Sequence, residues 1–276
     1  MNCDKHMPLH DSGIYSFGTG TSAWRDVSPD QMRGMLQGEN PPAFRTALAK
    51  TGEDEFGGPW YLDIDSEDIG ESIRSVQALL DRFVSIGLDL SCVRIFATGK
   101  KGFHIEVPAA CIMLEPGPVV GLPRIYRAMA LEVFVDGLDM RVYSAGRGRL
   151  WRVPNLLREN GAYKVPVTAD EVRAMTMESY AELCGVPRPF PPLSAPKYCP
   201  RLAALFDKAC QRLAVTTSRT RTWTRAEAEL RERFSGACPP SLAPILTGRL
   251  PSPSGSTCWP SKCACSLMPW TGTRSD

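Results

Sequence analysis

The chain has 276 residues, of which 43% are hydrophobic, and carries 32 basic and 30 acidic side chains. This length can bury the core of one large domain or two modest ones, and the near-zero net charge excludes an acidic or basic tail protein. No apolar run reaches the ~18 residues of a transmembrane helix, and the N-terminus lacks the apolar stretch of a secretion signal. We therefore expect a cytoplasmic protein whose ten cysteines are mostly reduced.

The charged residues are segregated along the chain. Residues 51–73 contain eight acidic and no basic side chains, whereas residues 141–164 contain six basic and one acidic. A fold that brings these stretches together can hold cations beside the first and phosphates beside the second. Charge alone leaves open the alternative of two unrelated solvated surfaces.

The first half of the chain predicts a helix, a strand, a second helix and a hairpin. A helix is expected at 28–38, where a serine can cap it and a proline follows. The apolar run Trp60–Asp65 predicts a buried strand, and the helical spacing of apolar residues in 66–87 predicts an amphipathic helix capped by its first residue, a serine. Strands are expected at 92–98 and 103–108, joined by a glycine-bounded turn.

The second half predicts shorter elements. A helix is expected at 118–134, strands at 138–144, 149–153 and 162–165, and short helices at 168–175 and 177–184. This pattern predicts an α+β domain at 1–186 with its core at 60–166, a proline-rich linker at 187–200, a helical C-terminal segment at 201–250 and a disordered tail at 251–276.

Two carboxylates stand at the end of the predicted strand, at Asp63 and Asp65. Side chains two residues apart on a strand share a face, so these carboxylates repel unless a cation lies between them. Mg²⁺ or Mn²⁺ would satisfy that requirement through oxygen ligands. The alternative is an exposed strand end with two solvated aspartates, or a helix cap at Asp65.

The next signal is a turn with two lysines between two glycines, followed by a histidine. Lys100 and Lys101 would lie at the tip of the hairpin, and His104 two residues into the following strand. Such a turn can present amide and ammonium groups to a phosphate. A solvent-facing hairpin with a structural histidine is the alternative.

The third signal is Asp139, followed by a basic stretch that includes Arg141, Arg149 and Arg152. Asp139 would complete a set of three carboxylates, and the arginines could bind a triphosphate or a nucleic-acid backbone. Asp136 competes with Asp139 for this role, and an ordinary loop aspartate beside surface arginines is the remaining alternative.

In this order the three signals resemble the motifs of the archaeo-eukaryotic primase superfamily. Those motifs are hydrophobic residues followed by Asp-x-Asp, a small residue-x-His, and a hydrophobic residue followed by Asp. They correspond here to Tyr61-Leu62-Asp63-Ile64-Asp65, Gly102-Phe103-His104 and Leu138-Asp139. Segments 96–108 and 148–168 are also similar to plasmid- and phage-type members, and the resemblance covers roughly 56–170. Some relatives carry serine where this chain has Gly102.

The resemblance implies an α+β fold: a primase-polymerase (RRM-like) core with a mixed or antiparallel sheet, followed by a C-terminal helical segment. It implies a DNA primase or DNA-directed polymerase, a nucleotidyltransferase of a mobile genetic element that acts on single-stranded DNA template and nucleoside triphosphates, with a replicative helicase as a further partner. The implied catalytic residues are Asp63, Asp65, Asp139 and His104, the three aspartates holding two Mg²⁺ or Mn²⁺ ions and His104 contacting the triphosphate. Lys100, Lys101, Arg149 and Arg152 are the further candidates for phosphate contacts.

Two alternatives stay open at this point. One is a catalytically inert nucleic-acid-binding module for replication initiation, against which the three mutually repelling carboxylates argue. The other is a primer-extending or end-joining polymerase on the same fold, which the sequence does not separate from a primase.

The C-terminal tail has two competing interpretations. Cys258, Cys263 and Cys265 are three thiols at a spacing poorly suited to tetrahedral zinc, so zinc is not expected. A one-base shift of the reading frame over 257–270 is compatible with an amphipathic helix, which predicts a frameshifted tail and a truncated C-terminal segment.

Overall fold

The structure is a computed structural model that describes residues 9–18, 24–144 and 149–214. These residues form an α+β protein with antiparallel sheets, which confirms the fold class predicted from the sequence. None of their helices is long and apolar enough to cross a membrane.

The described elements follow one another in small units. The strands are β1 (Tyr15–Gly18), β2 (Arg25–Val27), β3 (Phe44–Thr46), β4 (Ala49–Lys50), β5 (Glu55–Gly57), β6 (Trp60–Asp65), β7 (Arg94–Ala97), β8 (Gly102–Val107), β9 (Val119–Val120), β10 (Leu150–Arg152) and β11 (Val165–Val167). The helices are α1 (Pro29–Gln37), α2 (Ile69–Ser85), α3 (Leu122–Glu132), α4 (Ala169–Arg173), α5 (Met177–Cys184) and α6, described over 200–214.

The central sheet has the order β11-β7-β8-β6 and is antiparallel throughout. In β6 and β8, side chains alternate between its two faces. One face is apolar and packs against α2 and α5, through contacts such as Trp60 with Phe83 and Phe103 with Tyr180. The other face, which we call the cleft face, carries the ionisable residues of β6, β7 and β8.

A second sheet, of order β10-β3-β1-β2, contributes the residues that cover the cleft face. Trp151 of β10 stacks on the His104 ring at 4.1 Å between centroids and meets the Tyr61 ring edge-on at 5.7 Å. Because Trp151 is paired with Arg45 of β3, the whole second sheet is positioned by these contacts. A third, small sheet of order β4-β5-β9 extends the fold at the entry to β6.

Two local predictions need correction. The cap of α2 is Asp68, whose side chain accepts from the Gly70 amide, while Ser66 lies outside the helix and accepts from the Asp68 amide. The strand predicted at 138–144 is instead one bridge, Ile64 with Leu138, followed by a 3₁₀ helix over Met140–Tyr143. The chain turns there because the Asp139 side chain accepts from the Arg141 amide and caps the helix.

Beyond α5 the chain runs along the surface of the same core. The proline-rich segment has no helix or strand up to residue 199, and the Cys199 amide donates to the Cys111 carbonyl. Leu202 of α6 is fully buried in the main hydrophobic core. The predicted helical segment beyond residue 214, the tail at 251–276 and its cysteines lie outside the described residues.

Candidate active site

Backbone pairing places Asp63, His104 and Asp139 in one row across the cleft face. Asp63 of β6 is directly opposite His104 of β8. On the other side of β6, the Asp139 amide donates to the Asp63 carbonyl at 2.8 Å, next to the Ile64–Leu138 bridge. Directly opposed residues project to the same face of a sheet, so all three side chains lie on the cleft face.

Asp65 extends this row toward solvent. It lies two residues after Asp63 and therefore on the same face, opposite Gly102. Its carboxylate is partly exposed, and its nearest cation is the Lys101 ammonium, with 3.9 Å between Nζ and Oδ1. The competing aspartate, Asp136, is exposed and lines a different cavity beside α2. The pairing therefore brings Asp139, and not Asp136, beside the other two carboxylates.

The row opens into a cleft of ≈ 230 Å³ between the two sheets. Asp63, Asp65 and His104 line it, as do side chains from the second sheet and from the chain that leads into β11. The basic side chains that line it are Lys100, Lys101, Arg149, Arg152, Arg158 and Lys164. The acidic and basic stretches recognised in the sequence thus meet at one surface.

Asp63 is the buried centre of this site. Burial raises the pKa of its carboxyl to about 7, and the neighbouring charges of Asp65 and Asp139 act in the same direction, while Arg149 and Lys164 oppose them. These influences also show that the three carboxylates are close enough to interact electrostatically. A buried carboxylate with two like charges beside it favours binding of a cation.

The Asp139 carboxylate is held by Arg141. Burial acts to raise the pKa of this carboxyl, but hydrogen bonds from Arg141 and the charges of Arg141 and Arg149 outweigh it, so the pKa is lowered. The Arg149 guanidinium lies 3.9 Å from Asp139 Oδ2. Asp63 and Asp139 lie opposite each other, yet the pKa of Asp63 is raised and the pKa of Asp139 is lowered.

His104 is fixed by its stack on Trp151, and its Nε2 lies 3.6 Å from Asp63 Oδ1, longer than a hydrogen bond. Burial and the charges of Lys164, Arg149 and Arg158 lower the pKa of His104 well below its ordinary value, so the ring is neutral at pH 7. Its Nδ1 is buried and has no hydrogen-bond partner among the described residues.

The turn between β7 and β8 points its carbonyl groups into the protein. The carbonyls of Thr98, Gly99, Lys101 and Gly102 accept from the side chains of Arg158, Asn160, Ser72 and Tyr180, respectively. The side chains of the two lysines in this turn line the cleft. Two glycines allow this geometry: Gly99 has φ = +71°, and a Cβ on Gly102 would lie 1.9 Å from the Ile64 carbonyl oxygen.

The two predicted arginines reach the cleft from β10 and from the residue before it. Arg149 is exposed, and Arg152 lies over the Phe44 ring at 4.5 Å from the centroid. Every sequence-predicted site residue other than Asp139 lines the same cleft, and Asp139 is beside Asp63.

Sequence reasoning missed Lys164. This residue is 1% exposed, its ammonium donates to the Arg152 carbonyl at 3.0 Å, and it lies over the Phe96 ring. Burial lowers the pKa of Lys164 to about 7, although Glu106 and Asp63 act in the opposite direction. The sequence did contain one signal for it, a lysine immediately before the apolar residues of β11. The pattern of that segment predicted a strand and nothing about a site.

The donor set fits hard divalent cations in chemistry, because it consists of carboxylate oxygens on one face. Over residues 9–18, 24–144 and 149–214, however, no group of three or more His, Cys, Asp or Glu is already arranged to hold a metal ion. In the same structure the Arg141 guanidinium is hydrogen-bonded to both oxygens of Asp139.

Comparisons with known proteins found matches among solved structures. No protein-family model matches the chain, and no curated protein matches it. Among solved structures, the chain is similar to the polymerase domain of Mycobacterium tuberculosis Ligase D, solved in complex with DNA. The TM-score is 0.35 and the identity 15%, over 72% of this chain and 70% of that chain.

Proposed function

We propose that this protein is a nucleotidyltransferase of the archaeo-eukaryotic primase type, a DNA-templated primase or polymerase. One observation carries the proposal: the pairing of β6 with β8 and with residues 137–139 puts Asp63, His104 and Asp139 in one row, beside a cleft rich in lysine and arginine. Phosphoryl transfer requires carboxylates that can bind metal ions, next to lysine and arginine side chains that can bind phosphate.

Asp63, Asp65 and Asp139 would hold the divalent cations. Asp63 is the buried ligand between the other two, and Asp65 is the partly exposed one at the mouth of the cleft. Mg²⁺ or Mn²⁺ held by these three aspartates would supply the Lewis acidity for attack by a 3′ hydroxyl and for departure of pyrophosphate.

The protein's own contribution is positioning and charge neutralisation. Lys100 and Lys101 at the turn and Arg149 and Arg152 on the second sheet surround the place where a triphosphate would lie. Arginine forks suit phosphate oxygens, and lysine supplies a mobile point charge. The exposed members of this set would also contact the template strand, with the salt dependence of backbone binding.

His104 would contact the nucleotide as a neutral ring. Its Nδ1 is buried, so Nε2, on the side of Asp63, is the nitrogen available to a ligand in the cleft. The stack on Trp151 holds the ring plane in place. A neutral imidazole can donate one hydrogen bond to a phosphate oxygen without adding charge.

The test is nucleotide incorporation on a single-stranded DNA template with Mn²⁺ and labelled nucleotides, with and without a primer. We expect Asp63→Ala and Asp139→Ala to lower incorporation by about 10³-fold or more, because each removes a cation ligand. Circular dichroism and the unfolding midpoint would show that both variants keep the fold.

Asp136→Ala is the matched control, since it removes a carboxylate three residues away that lines a different cavity. Its activity should remain within about twofold of wild type. Full activity in Asp63→Ala or Asp139→Ala would overturn the proposal. Product without a primer identifies a primase, and product only with a primer identifies a primer-extending polymerase.

A further inference from the structure

Arg141 binds the Asp139 carboxylate through three separate groups. Its backbone amide and its Nε both lie 2.9 Å from Oδ1, and its Nη2 lies 3.3 Å from Oδ2. The guanidinium therefore reaches both oxygens of one member of the carboxylate row. The Asp139 side chain itself is only 6% exposed, so its oxygens have few other ways to be solvated.

The arginine side chain lies mostly in solvent. It is 82% exposed, and within the described residues its side-chain hydrogen bonds go to Asp139. A side chain this exposed can rotate into solvent once those hydrogen bonds are broken. By contrast, the backbone part of the contact belongs to the cap of the 3₁₀ helix and would persist if the side chain moved.

The other two carboxylates are not held in this way. Asp65 has a lysine at 3.9 Å, and Asp63 has the neutral His104 at 3.6 Å. Within the part of the chain that the structure describes, Asp139 alone among the three carries a guanidinium in hydrogen-bond contact with both oxygens. One carboxylate of the site is therefore hydrogen-bonded by a guanidinium, and the other two are not.

We propose that Arg141 is a positioning residue that occupies the metal-facing oxygens of Asp139 until a divalent cation displaces it, and that the released guanidinium then binds phosphate in the cleft. This inference rests on the proposed function. It predicts that Arg141 opposes cation binding in the absence of nucleotide and favours nucleotide binding once cations are present.

The experiment is a Mn²⁺ titration followed by electron paramagnetic resonance, without nucleotide or DNA, on wild type and variants of the full chain. Arg141→Ala should bind Mn²⁺ about tenfold more tightly, because the competing hydrogen bonds are gone. Arg141→Lys should behave nearly like Arg141→Ala, because an ammonium keeps the charge but cannot bind both oxygens in the same way. Asp139→Asn should weaken binding.

A second measurement uses a non-hydrolysable nucleoside triphosphate at saturating Mn²⁺. Arg141→Ala should bind this analogue about fivefold more weakly than wild type, the opposite sign to its effect on Mn²⁺. Arg173→Ala, which removes an exposed arginine 4.0 Å from Asp81 on α2, is the matched control and should leave both affinities unchanged.

Three results would overturn the inference. Equal Mn²⁺ affinity in wild type and Arg141→Ala, with binding lost in Asp63→Asn, rejects the role of Arg141 and leaves the proposed function standing. Wild-type behaviour of Arg141→Lys shows that only charge matters and rejects displacement of the contact. Mn²⁺ binding that Asp63→Asn does not alter places the cation elsewhere and rejects the proposed metal centre as well.

Discussion

The two faces of the central sheet are built from alternate residues of the same strands, yet they differ in almost every physical respect. The core face carries only apolar side chains from β6 and β8, among them Leu62, Ile64 and Ile105, all fully buried. The cleft face of the same strands carries Asp63, His104 and Glu106, which are also largely buried. One face stabilises the fold by removing apolar surface from water, and the other holds ionisable groups in place.

The cleft face encloses polar groups as well as aromatic rings. Deep in this face, Arg94 and Glu106 form an ion pair at 2.9 Å with both side chains nearly inaccessible. Nearer the opening, His104 and Trp151 each leave a buried ring nitrogen without a hydrogen-bond partner among the described residues. Unsatisfied polar groups cost stability, so this face contributes less to the stability of the fold than the core face does.

The largest loss of stability is expected at Gly102, a position of the cleft face that has no side chain. Gly102→Ala would place a Cβ 1.9 Å from the Ile64 carbonyl oxygen, which forces β8 away from β6. We expect the free energy of unfolding to fall by roughly 4 kcal/mol or more, measured by chemical denaturation. Gly34→Ala, on α1 with open space around it, should instead raise it by about 0.5–1 kcal/mol.

This variant also tests the close pairing of β6 with β8. A Gly102→Ala variant as stable as wild type would show that β6 and β8 are not this close, and the row of Asp63 and His104 would need revision.

The next effect compares two neighbours on β8 that face opposite ways. Ile105→Ala removes a fully buried side chain from the core face and should lower the free energy of unfolding by roughly 3 kcal/mol. His104→Ala should cost less than about 1 kcal/mol, because the lost ring also removes an unsatisfied buried nitrogen. Incorporation assays should show the reverse order, with His104→Ala the more damaging. Equal stability losses would contradict the distinction between the faces.

The smallest effect concerns the pH dependence of the cleft face. Lys164 has its pKa lowered to about 7 in the folded protein, so between pH 7 and its ordinary pKa the unfolded chain binds more protons. The free energy of unfolding of the protein therefore rises with pH across that window, as far as this residue contributes to it. Below pH 7 the folded protein bears the full cost of burying a charged ammonium. Lys164→Met removes this dependence.

We compare the free energy of unfolding of Lys164→Met with that of wild type at pH 6 and at pH 9.5. The difference should favour the variant more at pH 6, by roughly 2–3 kcal/mol. Urea denaturation at both pH values measures this difference. Lys100→Met, at an exposed lysine on the turn, should show no such change between the two pH values. A Lys164→Met curve parallel to wild type would mean that the ammonium is solvated in the folded protein.

Local sequence patterns were sufficient for most elements because their causes are local. The capping box at Ser28 and the strand over Trp60–Asp65 are formed by residues close in sequence, and both were predicted within a residue or two. The prediction for 138–144 failed because Asp139 caps a 3₁₀ helix, and the alternation of apolar residues there resembled a strand. Propensity could not weigh that side chain against strand pairing.

The amino-acid sequence by itself determined which residues could do chemistry: the period of two on β6 put Asp63 and Asp65 on one face, and the glycines set the turn that carries the two lysines. Only the tertiary structure decided between Asp136 and Asp139, through the Ile64–Leu138 bridge. It alone also brought Lys164 to the cleft. The physical reason is that periodicity follows from neighbouring residues, whereas strand register and burial depend on contacts between residues far apart in sequence.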